Sequence, residues 1–158
     1  MSSLILDVSY NVSVTTQPAD LDVLFDEWLI PTQNYTGGSG GACEVEILPY
    51  YNFAELPGNV TKEFTNSVTI NGTATSTTWD EYVFPPSNVT FVPHNSTGVQ
   101  SGEVRFNALD FFNEAVNSAG LSTSWWIGGF ELGNEFGDTT AANFTTTFTK
   151  IDIEQANN

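Results

Sequence analysis

Positive charge is nearly absent from this 158-residue chain: Lys62, Arg105 and Lys150 stand against nineteen Asp and Glu, a formal net charge of -16 at pH 7. Such a field repels phosphate backbones and anionic membranes, which excludes nucleic acid as a partner and favours a neutral ligand such as a glycan. Cysteine is equally scarce. Cys43 alone cannot form an intramolecular disulfide, and with His94 the only histidine, a structural zinc site lacks its ligands. No apolar run approaches the ~20 residues that cross a bilayer, and Met1-Ser2-Ser3 opens no basic flank and apolar core of a signal peptide. Gly37 to Gly41 lacks the Lys-Ser/Thr ending of a phosphate loop and precedes a strand, so no phosphate or nucleotide cofactor is expected.

What is abundant points elsewhere. Asn11, Asn34, Asn59, Asn71, Asn88, Asn95 and Asn143 each open an Asn-X-Ser/Thr sequon, a density that suits a secreted, glycosylated surface. The expectation is an extracellular parent protein whose own N-terminus lies beyond this chain. The length suits one domain, residues 1–158, burying roughly 70% of its extended surface.

Apolar residues recur at every second position from Leu4 through Leu6, Val8, Tyr10 and Val12 to Val14, the pattern of a half-buried strand. Further strands are predicted over Val23 to Trp28, Cys43 to Tyr50, Ser67 to Ile70, Thr75 to Phe84, Asn88 to Val92, Gly98 to Phe106, Ser124 to Phe136 and Ala142 to Ile153. Nine strands imply an all-β sandwich or barrel. A single helix is predicted from about Ala108 to Ser118, capped by Asn107, with a stripe of Leu109, Phe112 and Val116 widened by Phe111 and Ala115, and stopped by Gly120. Turns are expected at Gly37 to Gly41, Pro57-Gly58, Asn71-Gly72, Pro85-Pro86 and Gly137-Asp138.

With no cysteine–histidine pair and no metal-ligand cluster in view, chemistry falls to carboxylates and aromatics. In Cys43-Glu44-Val45-Glu46-Ile47-Leu48, period two places Glu44, Glu46 and Leu48 on one face and Cys43, Val45 and Ile47 on the other. The acidic face is either a catalytic surface or simply a solvated one. Glu131 and Glu135 share a second carboxylate face, with Phe130, Leu132 and Phe136 opposite, and Gly129 and Gly133 clear side-chain bulk beside them. Carboxylates on two strands are what glycosidic cleavage requires, one to protonate the departing oxygen and one to attack the sugar or activate water. Asp26 is placed to tune such a pair, and Trp28, Tyr50, Tyr51, Trp79, Trp125 and Trp126 offer flat surfaces to sugar rings. Each also reads as an ordinary core or surface residue. His94, in a polar turn, is expected at the surface, and Cys43 as a small buried filler.

Four segments, in order, resemble glycoside hydrolase family 12, small endoglucanases and xyloglucanases. Phe25-Asp26-Glu27-Trp28 resembles the family's Tyr/Phe-Asp-Leu-Phe strand, and Glu44-Val45-Glu46-Ile47-Leu48 its Glu-Ile/Val-Met-Ile-Trp strand. Asp110-Phe111-Phe112-Asn113 matches its helix, and Gly133-Asn134-Glu135-Phe136 its Gly-Thr-Glu-Pro-Phe segment. The resemblance implies a jelly-roll β-sandwich of two antiparallel sheets, similar to concanavalin A, with one short helix. It also implies retaining endo-β-1,4-glucanase activity without a cofactor or metal, on a β-glucan such as cellulose or xyloglucan, in a monomer. By the same resemblance Glu44 is the nucleophile, Glu135 the acid/base and Asp26 the residue that assists Glu44. Glu46, Trp28, Tyr50, Trp79 and Glu131 are then expected to contact substrate, and Tyr50 to Gly58 to form a cleft loop.

The chain departs from the family at points that matter. Glu46 replaces Met and Leu48 replaces Trp, so the nucleophile gains a negative neighbour and loses an aromatic one. Family domains run well beyond 200 residues, and strands ahead of Leu4 have no counterpart, so an N-terminally shortened domain is expected. The alternative function is a non-catalytic glycan-binding jelly-roll, or an inactive fragment of such an enzyme.

Overall fold

Alternation in the sequence becomes nine strands and one helix in a computed structural model, which describes residues 1–18, 20–36, 42–53, 59–85, 87–137 and 142–157. The strands are β1 (Ser3–Thr16), β2 (Asp20–Ile30), β3 (Cys43–Phe53), β4 (Lys62–Ile70), β5 (Thr73–Phe84), β6 (Asn88–Pro93), β7 (Ser101–Asn107), β8 (Trp126–Gly133) and β9 (Asn143–Ala156). The helix α1 (Ala108–Ser118) joins β7 to β8. No helix among the described residues is long and apolar enough to cross a membrane. The turns expected at Gly37 to Gly41 and Pro57-Gly58, with Pro86 and Asp138, lie outside the described residues. Asn71 and Gly72 do form the β4–β5 turn, with φ of 49° and 78° at the two central positions.

The strands hydrogen-bond as one nine-stranded sheet in the order β8-β2-β3-β6-β5-β4-β7-β1-β9, instead of the two separate sheets expected. Only the pairs Val68↔Phe106, Thr69↔Arg105 and Ile70↔Val104 stitch β4 to β7 and make the sheet continuous. Neither is the sheet wholly antiparallel, since β3 and β6 run parallel. It curls sharply. Strands β2 and β7 are five places apart, roughly 24 Å on a flat sheet, yet the Phe25 and Phe106 rings meet edge to face at 5.1 Å.

Phe111 of α1 sits where the curled sheet closes. Its ring lies 5.0 to 5.3 Å from those of Phe64, Trp79, Phe91 and Phe106, contributed by four different strands. The buried helix stripe is Ala108, Phe111, Phe112 and Ala115, so Leu109 and Val116, expected at its centre, flank it half-buried. Asn107 occupies the N-cap position without capping, because its Oδ1 accepts from the Leu4 amide and its Nδ2 donates to Asp110. At the other end Leu121 donates to the Val116 carbonyl and Gly120 to that of Asn117, with Gly120 at φ +68°. This is the left-handed stop that glycine permits.

Two acidic groups lie fully inside this apolar core. Glu27 and Glu81 are 0% exposed, and neither Glu27 oxygen has a hydrogen-bond partner among the described residues. Burial, with the charge of Asp26 adding, pushes the Glu27 carboxyl up to about 9. On the outer face of β1, β7 and β9 the charges are paired. Asp7 accepts from Lys150 at 2.7 Å and Arg105 at 3.0 Å, and Arg105 also clasps Glu154. Burial alone would raise Asp7, but the Lys150 and Arg105 bonds together hold it below its ordinary value.

These opposing shifts set the pH dependence of folding. Asp22, Asp26 and Glu27, raised to about 7, 8 and 9, give stability that is full below their unfolded pKa near 4 and is lost as pH rises through those values. Asp7 acts oppositely, its contribution vanishing as pH falls below 4. Thermal melts should therefore show greatest stability near pH 5 and a Tm lower by at least about 5 °C at pH 9. Glu27→Gln should melt higher than the wild type at pH 9 and close to it at pH 5; parallel curves for the two proteins would contradict the assignment.

Candidate active site

Strand register assembles the site in two rows across five strands, on the face opposite the core. One row runs Glu131–Asp26–Glu46–Thr90–Tyr82 through β8, β2, β3, β6 and β5, and the next runs Gly129–Trp28–Glu44–Asn88–Phe84. Directly opposed residues share a face, with strands ~4.8 Å apart. The carboxylates of Glu131, Asp26 and Glu46 are therefore successive neighbours, with Glu44 in the adjoining row. Cys43, Val45 and Ile47 point the other way and are fully buried, as the alternation predicts. The Cys43 thiol, pushed up to about 11 by burial and then by Glu44, is a core filler.

Hydrogen bonds fix these acids. Asn88 Nδ2 donates to Glu44 Oε2 at 3.3 Å, and Thr90 Oγ1 donates to Glu46 Oε2. Asp26 and Glu44 share a hydrogen bond that requires one proton between them. Burial, the Glu44 charge, that bond, and the charges of Glu46 and Glu131 push Asp26 up to about 8, so the shared proton resides on Asp26 at neutral pH. For Glu44, burial raises the carboxyl and the Glu46 and Glu131 charges add to it. The Asn88 and Asp26 bonds pull the other way without cancelling the rise.

Glu135 arrives from beyond the strand that was expected to carry it. β8 ends at Gly133, and the chain breaks from the ladder before Phe136 bridges Leu21. Asp22 secures this turn. Its Oδ1 accepts the Glu135 amide at 2.7 Å, its own amide donates to the Glu135 carbonyl at 3.1 Å, and its carbonyl accepts from Asn134 Nδ2. Asp22 is only 1% exposed, and burial pushes it up to about 7 against the pull of the Glu135 amide. Glu135 is itself raised, by burial and then by the charges of Glu46 and Glu44, which favours its protonated form.

A cleft of about 520 Å³ opens over these groups, lined by Asp22, Glu46, Glu135, Phe53, Tyr82 and Phe136 among others. Asp26 and Glu44 continue the same face beyond its lining. Side chains added at Gly129 or Gly133 would meet no atom closer than Trp28 Cδ1 at 4.0 Å, so both glycines leave the face beside Glu131 open. Trp28, half-buried, and Trp126, 48% exposed, flank the acids on the β8 side.

Two of the expected sugar-binding aromatics face the core instead. Tyr50 is 4% exposed because a bulge opposes Leu48 and Pro49 to the single residue Leu24, which inverts the alternation after Leu48. Tyr51 and Phe53 take the cleft side in its place, packed with Leu24, Leu48, Tyr82 and Val92. Of the expected cleft loop, residues 54–58 lie outside the described residues. Trp79 is 2% exposed, packs on Phe111 and donates to Asn66, and it lines a separate cavity of about 430 Å³. The remaining expected residues, Glu44, Glu46, Asp26, Trp28 and Glu131, share the cleft face with Glu135. Asp22, Asn88 and Thr90 went unrecognised in the sequence. Asn88 opens a sequon, yet it is half-buried on Glu44, whereas the other six sequon asparagines are exposed. Glu63, Asp80 and His94 bring ligand-type atoms within 4.8 Å of one another outside the cleft lining, and His94 Nδ1 is 2.7 Å from Asp80.

No protein-family model and no curated protein sequence matches the chain. Solved structures do match its fold. A family 12 xyloglucanase from Bacillus licheniformis in complex with ligand aligns with a TM-score of 0.68 at 19% identity, over 96% of this chain and 61% of that one. Endoglucanase cel12A from Rhodothermus marinus aligns at 0.63 and 19%, over 94% and 63%. The catalytic domain of Humicola grisea Cel12A, with a soaked thio cellotetraose, aligns at 0.63 and 18%, over 97% and 64%. The chain thus has the β-rich fold of family 12 glycoside hydrolases and spans under two thirds of the length of these relatives.

The Asp22 bonds are open to test. Asp22→Ala leaves the Glu135 amide without its acceptor and should cost about 1–3 kcal/mol of stability and speed hydrogen exchange at that amide. Asp22→Asn keeps an acceptor oxygen and should stay close to the wild type. Unchanged exchange in Asp22→Ala would show that the turn is held by other contacts.

Proposed function

We propose that the protein hydrolyses β-1,4-glucosidic bonds within a glucan such as cellulose or xyloglucan, retaining configuration, as a secreted enzyme. The observation that carries this reading is the division of labour among the acids: Glu44 accepts hydrogen bonds from Asn88 and protonated Asp26, while Glu135 is raised toward its protonated form by burial and by the charges of Glu46 and Glu44. Glu44 supplies the electron pair that forms a bond to the anomeric carbon as the glycosidic C–O bond breaks. Glu135 gives its proton to the departing oxygen. In the second step Glu135 takes a proton from water, which attacks the same carbon and releases Glu44 as a carboxylate. Asp26 keeps its proton throughout, donating to Glu44 when it is free and steadying its charge as it leaves. The family 12 fold, shared with a structure holding a cellotetraose analogue, supports a β-glucan as substrate.

One observation favours a second reading, glycan binding without turnover. The charge of Glu46 raises Glu44 and works against an anionic nucleophile.

Reducing-end release from cellulose and xyloglucan oligosaccharides separates the two. Glu135→Gln should lower kcat by about 10²–10⁴-fold, Glu44→Gln should abolish turnover, and the first product seen by NMR should be the β-anomer. Activity should decline above about pH 8 as Asp26 loses its proton beside Glu44. Oligosaccharide binding with no turnover at any pH would favour the binding module.

A further inference from the structure

Asn88 and Thr90 stand next to one another on the cleft face of β6, each opposed to a glutamate of the parallel strand β3, in the pairs Glu44↔Asn88 and Glu46↔Thr90. Hydrogen bonds join the four side chains in one line. Glu46 Oε2 meets Thr90 Oγ1, Thr90 Oγ1 lies 2.9 Å from Asn88 Oδ1, and Asn88 Nδ2 lies 3.3 Å from Glu44 Oε2.

Counting hydrogens gives the line a direction. The Thr90 hydroxyl has one proton and, in Glu46 Oε2 and Asn88 Oδ1, two oxygens to serve. An ionised Glu46 takes that proton and leaves Asn88 Oδ1 facing a hydroxyl oxygen with nothing to donate. The Asn88 amide then gains a bond by turning over, NH2 to Thr90 and Oδ1 to Glu44, which suits a protonated Glu44. A protonated Glu46 instead donates to Thr90 Oγ1, the hydroxyl proton serves Asn88 Oδ1, and Asn88 Nδ2 is held on a Glu44 carboxylate. Each of these arrangements makes three bonds. With both glutamates ionised, one link is lost.

We infer that Thr90 and Asn88 form a relay through which Glu46 positions Glu44: a proton on Glu46 turns the Asn88 NH2 onto Glu44 and holds Glu44 as the anion. Glu46, Thr90 and Asn88 are positioning residues that act on the reaction through Glu44. This rests on Glu44 as the nucleophile of the proposed hydrolysis and gives the acid beside it a task. Charge acting through space must be told apart from the relay. Asp22 and Asp26 of β2, Glu44 of the same strand and Glu135 beyond β8 all feel Glu46 in that way, and Glu131 and Tyr82 end its row.

The test follows the Glu44 carboxyl of the full chain by carbon-13 NMR through its titration, with reducing-end release from cellohexaose measured alongside. Thr90→Val cuts the line and leaves every charge in place; it should raise the proton affinity of Glu44 about fivefold, and the acid limb of the pH–rate profile should move up with it. Thr90→Ser should restore both. Glu46→Gln fixes a donor on Thr90 and removes a charge, so it should lower the proton affinity of Glu44, by at least about threefold more with Thr90 present than in Thr90→Val. Should Thr90→Val fail to fold, Asn88→Ala cuts the next link and serves as the second background. An equal effect of Glu46→Gln in both backgrounds would show charge acting alone and overturn the inference, even if cellohexaose is hydrolysed. An unequal effect, rescued by Thr90→Ser in a chain that hydrolyses nothing, would support the relay and overturn the proposed activity.

Discussion

A nine-stranded sheet carrying a single helix has one means of burying its apolar face, which is to close on itself, and Phe111 is the ring on which it closes. Edge-to-face contacts with Phe64, Trp79, Phe91 and Phe106 draw β4, β5, β6 and β7 toward one point of α1. Each such pair adds about 0.5–1.5 kcal/mol beyond area burial. The functional face inherits its shape from this closure. Once the odd-numbered residues of β2 and β3 are committed to the core, their even-numbered neighbours up to the bulge must stand together on the other side, and those neighbours include Leu24, Asp26, Trp28, Glu44, Glu46 and Leu48. The acids are adjacent because the apolar residues between them have nowhere else to go.

Adjacent carboxylates at low dielectric cannot all ionise, and the distribution of the remaining protons is set by small differences in surroundings. Asp26 is the most enclosed of the row and has only acceptors around it, so it keeps its proton. Glu44 has a donor on either side, Asn88 and Asp26, and is the member best able to carry charge. Glu135, with no such donors among the groups that shift it, is held toward protonation by burial and by Glu46 and Glu44. One cluster of like residues is thereby split into a base-like and an acid-like member without any cation or metal. The same low-dielectric logic appears without evident use at Glu27, which lies in the core beside Asp26 in sequence but on the opposite face.

Much of this was legible from the sequence. All nine strands fall where strands were predicted, and the helix spans the predicted residues, its apolar stripe and its Gly120 stop being local signals, although Asn107 does not cap it. Glu44 and Glu46 were placed on the correct face because Cys43, Val45 and Ile47 are unambiguously apolar. Trp79 was misplaced for the opposite reason: its strand has aromatics on both faces, and Glu81, two residues on, marks as polar the face that is in fact buried. Asp22 was overlooked because β2 was started at Val23, and Asn88 and Thr90 because uncharged side chains acquire meaning only once β6 is known to lie beside β3. The merging of two sheets into one depends on three residue pairs between β4 and β7, a contact between distant segments that no local pattern encodes.

The bulge at Leu48 and Pro49 has a wider consequence. Upstream of it β3 presents its acids, and downstream the choice between Tyr50 and Tyr51 as the ring on the cleft side is made by the bulge. Straightening the bulge at constant residue count would turn Tyr51 and Phe53 inward and bring Tyr50 and Asn52 out, leaving Glu44 and Glu46 where they are, whereas removing one residue there closes the bulge and leaves both rings as they stand. The aromatic wall and the acids of this cleft can therefore change independently, the one through the presence or absence of the bulge and the other through substitutions. Chains of this fold are then free to differ in the aromatic wall while keeping the same acids.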